Sequence, residues 1–168
     1  MADFSVKTES GINTYRKAIS AFVLLFALPI LLSVINITFA ESWKIHFFPA
    51  AVILAAVILG LPGGIVAGIS GSLYTALFLG NPYVLVGNAL FGAMAALFYK
   101  KTGKVILSVL LAYMIQLPWL ILTDYYLAGL SADFIARLVV VLLLGNVLWA
   151  ALIQANIVPL RKLFGHKP

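Results

Sequence analysis

The sequence predicts an all-α integral membrane protein with six transmembrane helices and with both termini in the cytoplasm. Hydrophobic residues make up 64% of the 168 residues and charged residues only 10%, which is more apolar surface than a soluble domain of this size can bury. Apolar runs of about 17–25 residues, enough to cross a bilayer as a helix, recur along the chain. Segments with the alternating pattern of a transmembrane β-barrel are missing.

The first apolar run extends from Ala18 to Ala40 and follows a polar segment, residues 1–17, that we expect in the cytoplasm. Thr38-Phe39-Ala40 faintly resembles a signal-peptide cleavage site. The run is longer than the about 7–15 apolar residues of a signal peptide, however, and further hydrophobic spans follow it. We therefore expect a retained first helix.

The second apolar run, from Phe47 to Gly80, contains no charged residue and fits either one long tilted helix or two short ones. Leu61-Pro62-Gly63-Gly64 in its middle predicts a turn, because proline lacks a backbone donor and glycine permits positive φ. The later predicted spans are Tyr83–Tyr99, Val105–Thr123 and Phe134–Leu160. The whole chain thus contains five or six helices, depending on this turn.

The distribution of basic residues favours six helices. With six spans and a cytoplasmic N-terminus, all Lys and Arg residues except Lys44 and Arg137 lie inside, as the positive-inside rule requires. With five spans, the lysines from Lys100 onward would lie outside. We predict a cytoplasmic segment (1–17), one membrane domain (18–160) and a basic cytoplasmic tail (161–168). The outer connections are then Glu41–His46, Gly80–Pro82 and Asp124–Asp133.

Several chemistries are absent from the sequence. There is no cysteine, which excludes disulfides, thiolate chemistry and Cys-ligated metals. The chain has no Walker motif and no plausible metal cluster, so we expect no ATP hydrolysis, no metal and no cofactor. The net charge of +6 follows the predicted topology and does not indicate nucleic-acid binding.

Gly68-Ile69-Ser70-Gly71 resembles the GxSG motif of intramembrane serine proteases. Such a protease needs a base within hydrogen-bond reach of the serine. The two histidines, His46 and His166, lie in the predicted outer loop and the cytoplasmic tail, and every lysine lies outside the predicted spans. We therefore expect Ser70 to serve packing and the chain not to be an enzyme.

Small residues recur at every fourth position through the same stretch, a spacing that lets helix backbones approach closely in lipid. We expect a buried or sliding helix here, with Gly92-xxx-Ala96 and Ala89-xxx-Ala93 as a partner face. The first row is Gly60, Gly64, Gly68, Ser72, Ala76 and Gly80, and the second is Gly63, Ala67, Gly71 and Thr75.

Polar residues within or just outside the spans are the candidate ligand-binding groups, because intramembrane polar residues are costly and tend to mark a pathway or a site. Amides together with aromatic faces suit a small, polar, ring-containing ligand. For each amide alone an interhelical hydrogen bond is the favoured interpretation, and each aromatic residue fits an interfacial belt as well. The candidates, all expected in the outer half of the membrane or the loops above it, are Trp43, His46, Tyr83, Asn88, Gln116, Trp119, Asp124, Tyr125, Asn146 and Trp149.

From Phe48 onward the chain resembles the substrate-binding S component of energy-coupling factor (ECF) transporters. The resemblance covers about two-thirds of the chain and rests on three blocks: FFPAAVILAAVILGLPGGIVAGISGSLYTALFLG, NPYVLVGNALFGAMAALFYKKTGK and LLLGNVLWAALIQANIVPLRKLFG. It implies a six-helix protein of the cell membrane that binds a water-soluble vitamin or vitamin precursor from outside. It also implies two kinds of partner, a transmembrane coupling protein and two ATPase subunits. The first helix lacks the Ala-xxx-Ala docking pattern, and the N-terminus lacks the Met-His start of nickel and cobalt members.

Two other functions fit the same residues. One is a membrane scaffold or assembly subunit without a ligand. The other is a small stand-alone facilitator that works as an oligomer. A tightly bound ligand would distinguish the binding subunit from the scaffold, and dependence of uptake on an ATPase would distinguish it from the facilitator.

Overall fold

A computed structural model describes residues 14–39 and 43–164. Five helices in this part of the chain are long and apolar enough to cross a membrane, so the chain is a multi-pass α-helical membrane protein. The elements are α1 (Thr14–Val34), β1 (Asn36–Phe39), β2 (Trp43–His46), α2 (Phe48–Leu79), α3 (Tyr83–Thr102), α4 (Val105–Ile121), α5 (Ala132–Ala155) and α6 (Ile157–Leu163).

Helix α2 breaks at Gly60 and folds back on itself. Gly60 has φ 71° and ψ −153°, a conformation that only glycine adopts readily. A Cβ built on Gly71 would lie 3.1 Å from Cδ2 of Phe48, although the two residues would be about 34 Å apart in a straight helix. A turn is therefore present, but at Gly60 and not at Leu61–Gly64, which are helical, and it separates a first arm (residues 48–59) from an antiparallel second arm (residues 61–79).

The second arm of α2 packs closely on two sides through its two rows of small residues. On one side a Cβ at Gly64 would overlap the carbonyl oxygen of Gly92, and one at Gly68 would overlap the carbonyl oxygen of Asn88. On the other side a Cβ at Gly71 would contact Phe48 of the first arm and Pro29 of α1. The predicted small-residue contact with Gly92 is confirmed, and the second arm packs on two sides while Leu77 and Phe78 near its end are exposed.

Ser70 joins α2 to an irregular part of α1. Residues Val23–Ala27 form a π-helical turn, which disturbs the regular hydrogen bonding of α1. The Ser70 hydroxyl donates a hydrogen bond to the carbonyl oxygen of Leu25 in this turn. Its role in the structure is therefore a contact between two helices.

The first predicted span is wrong at both ends. The described helix already includes Thr14, before the predicted start at Ala18, and it ends at Val34 instead of Ala40. Residues 36–39 form β1, which pairs antiparallel with β2, with Ile37 opposite Ile45. The strand sequences Asn-Ile-Thr-Phe and Trp-Lys-Ile-His alternate polar and apolar residues, a pattern that favours strands over a helix. The predicted loop at Glu41–His46 is thus partly β2, and residues 40–42 lie outside the described part.

Two later boundaries also differ from the prediction. The helix after α4 continues as a π-helical segment, Leu122–Leu127, so Asp124 lies in a helix and not in a loop. The last span ends at Ala155 instead of Leu160, because Asn156 (φ −114°, ψ 17°) breaks the helix before α6 begins.

The beginning of α1, the end of α3 and helix α6 meet at one end of the bundle, which we call the basic end. The Arg16 guanidinium donates hydrogen bonds to the carbonyl oxygens of Lys162 and Leu163, each at 3.4 Å. The Arg161 guanidinium donates to the hydroxyl of Tyr99 at 3.1 Å and lies over its ring. The first and last described helices are therefore adjacent here.

Candidate functional site

The structure brings eight of the ten predicted site residues into two groups instead of one. The first, the seam group, lies between α3 and α4 and contains Tyr83, Asn88, Gln116, Trp119 and Asp124. The second, the hairpin group, lies where the β-hairpin meets α5 and contains His46, Asn146 and Trp149. No hydrogen bond or ring contact between described residues joins the two groups.

Most polar side chains of the seam group have hydrogen-bond partners within the protein. The Gln116 amide donates to Oδ1 of Asn88 at 3.2 Å, and the Asn88 amide donates to the carbonyl oxygen of Val84 at 3.1 Å. The Trp119 indole donates to the carbonyl oxygen of Tyr83 at 3.1 Å. These bonds follow from the antiparallel packing of α3 on α4, and each satisfies a donor that would be costly to leave unpaired in lipid.

Asp124 is buried at the same seam, although the sequence placed it in an outer loop. Its side chain is 6% exposed, and Oδ1 accepts a 2.8 Å hydrogen bond from the amide of Asn81. Oδ1 of Asn81 in turn accepts from the backbone N–H of Tyr83 at 3.1 Å. Asn81 was not among the predicted site residues. It lies in the connection between α2 and α3, and nothing in the sequence around it indicated a contact with Asp124.

The hairpin group is held together by Trp149. The Trp149 indole donates a hydrogen bond to the carbonyl oxygen of His46 at 3.0 Å, and its ring centroid lies 4.9 Å from that of Phe47. The His46 ring lies 6.1 Å from that of Phe48. Sequence reasoning missed Phe47 and Phe48, which it treated as the start of an apolar span. The hairpin thus meets the C-terminal third of α5, deeper along that helix than the sequence predicted for an outer loop.

Two polar groups in the hairpin group lack partners. Nδ1 of His46 is buried and has no hydrogen-bond partner in the described part of the chain. Burial lowers the pKa of His46 below its usual 6.5, and the nearby positive charge of Lys44 lowers it further. Asn146 is 4% exposed, and within residues 14–39 and 43–164 its amide makes no hydrogen bond. Asn81, Gln116 and Asp124, which are as deeply buried, all have partners.

Helix α5 leaves open space beside these groups. Gly145 is buried, yet a Cβ built on it would meet no heavy atom within 4 Å. Gly145 and Asn146 are four and three residues before Trp149, so all three lie on one side of the helix. A small group could therefore enter next to Asn146 without displacing a side chain.

The remaining predicted residues and two surface cavities lie elsewhere. Tyr125 is 45% exposed and packs edge-on against Tyr126, and the side chain of Trp43 lies outside the part that the structure describes. A groove of about 360 Å³ is lined by α1 residues, and a second cavity of about 280 Å³ lies between the second arm of α2 and the start of α3. Neither is lined by a predicted site residue. Among the described residues no three His, Asp or Glu side chains are grouped to hold a metal ion.

Comparisons of the chain with protein-family models, curated proteins and solved structures found no match. The functional argument therefore depends on the geometry of these two groups.

Proposed function

We propose that the chain is a membrane substrate-binding subunit for the uptake of a small water-soluble vitamin or vitamin precursor. The observation that carries this proposal is that the hairpin group holds two polar groups without partners among the described residues, Nδ1 of His46 and the amide of Asn146, and that Gly145, next to Asn146, borders open space. The seam group, most of whose polar side chains have partners within the protein, has a structural role in this proposal.

A ligand accounts for the cost of the His46 nitrogen. This buried atom loses its hydrogen bond to water, at about 1–3 kcal/mol. A polar ligand restores that bond, with the Asn146 amide both donating and accepting. The rings of Trp149 and Phe47 offer apolar faces next to it. The chemistry therefore suits a ring compound with polar edges and not a lipid or an inorganic ion.

The proposed location is the plasma membrane. The proposed topology has six membrane crossings, with both termini in the cytoplasm. The fold-back at Gly60 supports the placement of both termini on one side, because a helical hairpin returns the chain to the side from which it entered. The hydrogen bonds from Arg16 to the end of α6 support it as well, since they require the first and last helices to begin and end on one side. The basic residues at that end favour the cytoplasm.

In the proposed transport cycle the chain captures its ligand from outside and delivers it with an ATP-driven module. A transmembrane coupling protein and two ATPase subunits are the partners that the resemblance to S components implies. This sequence contains no Walker motif, which is consistent with ATP hydrolysis by the separate ATPase subunits.

The test is native mass spectrometry of the detergent-purified full chain, with identification of any bound small molecule and a melting-temperature screen of vitamins. We expect a stoichiometric ligand that is lost in Asn146→Ala and in Gly145→Leu, which fills the open space. Asn156→Ala is the matched control, because that exposed amide bonds only to the carbonyl oxygen of Leu152. A protein that carries no ligand and responds to no vitamin would refute the proposal.

The seam group favours a second candidate function, a membrane scaffold without a ligand. Its internal hydrogen bonds, such as that between Gln116 and Asn88, show how amides serve helix packing alone. In that case Gln116→Ala lowers stability, because it leaves Oδ1 of Asn88 without its donor, and neither Gln116→Ala nor Asn146→Ala changes the binding of any small molecule.

A further inference from the structure

The basic end of the bundle carries positive charge from three separate segments. The residues are Arg16 and Lys17 of α1, Lys100, Lys101 and Lys104 around the end of α3, and Arg161 and Lys162 of α6. The two arginines link these segments, because Arg16 binds the end of α6 and Arg161 binds Tyr99 of α3. The lysines therefore lie on three segments that hydrogen bonds from the two arginines hold together.

The lysine side chains of this end are available to a ligand. All five are exposed, and none has a hydrogen-bond or ion-pair partner among the described residues. The acids that the structure describes, Asp124 and Asp133, lie at the opposite end, where α4 has ended and α5 begins. No described carboxylate therefore neutralises the basic end.

A groove on α1 adds a separate feature to the same end. It has a volume of about 360 Å³ and is lined by Tyr15, Arg16, Ile19 and Ser20. Ser20 is only 8% exposed, yet its hydroxyl has no hydrogen-bond partner in the described part of the chain. The groove thus combines a guanidinium, a free hydroxyl and an apolar wall.

We propose that the basic end binds the headgroup of an anionic phospholipid, with its phosphate in the groove of Arg16 and Ser20 and the surrounding lysines as further charge partners. Lys100 and Lys101 directly follow the apolar length of α3, which places their ammonium groups at the depth where hydrocarbon meets headgroups. Neighbouring apolar side chains such as Ile19 (65% exposed) and Leu163 (63% exposed) suit acyl chains. This site is independent of the proposed vitamin site.

The test compares phosphatidylglycerol with phosphatidylcholine binding to the delipidated full chain, measured by native mass spectrometry and by melting temperature. Each lysine near a charged bilayer surface is worth roughly a fivefold change in affinity, so Lys100→Gln with Lys101→Gln is expected to weaken phosphatidylglycerol binding about 25-fold. Ser20→Ala, which keeps all charges, is expected to weaken it about fivefold. The control pair Lys44→Gln with Arg137→Gln removes the same charge away from the basic end and leaves binding unchanged.

Preferential binding of phosphatidylglycerol that depends on the basic-end lysines and on Ser20 supports the proposal. Equal binding of the two lipids overturns it, and an acidic face of a protein partner then becomes the better occupant. Equal losses in the two double variants also overturn it, because they would show that net charge alone attracts the lipid. Binding that Ser20→Ala leaves unchanged refutes the phosphate position in the groove.

Discussion

The contact between the second arm of α2 and α3 gives a quantitative prediction for Gly64→Ala. A Cβ at Gly64 overlaps the backbone carbonyl of Gly92, which no side-chain rotation can relieve. The two helices must separate by roughly 1 Å to admit the methyl group, and a gap of 0.5–1 Å removes about a quarter to a half of the dispersion energy of the atoms along it.

The expected net loss in the free energy of unfolding is about 1 kcal/mol. Overpacking of a close contact costs about 1–3 kcal/mol, and alanine recovers up to about 1 kcal/mol through its higher helix propensity. Gly92→Ala inserts its methyl group into the same gap. The double variant Gly64→Ala with Gly92→Ala should therefore lose less than the sum of the two single losses.

The assay is unfolding by titration with a denaturing detergent, followed by circular dichroism. Gly145→Ala is the matched control, because its added methyl group meets no atom within 4 Å, and it should stabilise the protein by about 0.5–1 kcal/mol. Changes of the same sign and size in Gly64→Ala and Gly145→Ala would refute the argument that close backbone approach sets the cost.

Three further perturbations follow from the hydrogen bonds and charges described above. Ser70→Ala removes the bond to Leu25 and should lower the free energy of unfolding by about 1 kcal/mol in the same titration, whereas no change would show that water replaces the bond. Trp149→Phe removes the bond to the His46 carbonyl, and hydrogen exchange of the β-hairpin should accelerate; unchanged exchange would contradict that anchoring role. The pKa of His46 is lowered in the folded state, so the unfolded state takes up more protons as pH falls through 6.5. The melting temperature should therefore fall on acidification, and less steeply in His46→Phe.

The sequence predicted the helical class and the close packing well, because both depend on local patterns. The Leu61–Gly64 turn signal located the break to within a few residues, and the four-residue spacing of small residues identified the face that meets Gly92. The β-hairpin was missed, because the polar–apolar alternation of Asn36–Phe39 lasts only four residues and directly follows the apolar length of α1.

The arrangement of polar side chains was harder to predict. The sequence placed Asp124 in a loop because charged residues are rare inside spans, but its partner Asn81 lies on another element and stabilises it in a buried position. The grouping of His46 with Trp149 joins residues more than a hundred positions apart. Such contacts depend on how the helices pack against one another, which local patterns in a single sequence do not specify.

The break at Gly60 has a consequence for how the protein is made. The first arm of α2, residues 48–59, is about 18 Å long, whereas the hydrocarbon core of a bilayer is about 30 Å thick. When this arm leaves the ribosome alone, it cannot span the bilayer as a stable segment. We therefore expect insertion to wait until the second arm has been synthesised, so that the two arms enter the lipid together as one helical hairpin. Gly60 thereby sets the order of events during biogenesis as well as the direction of every later helix.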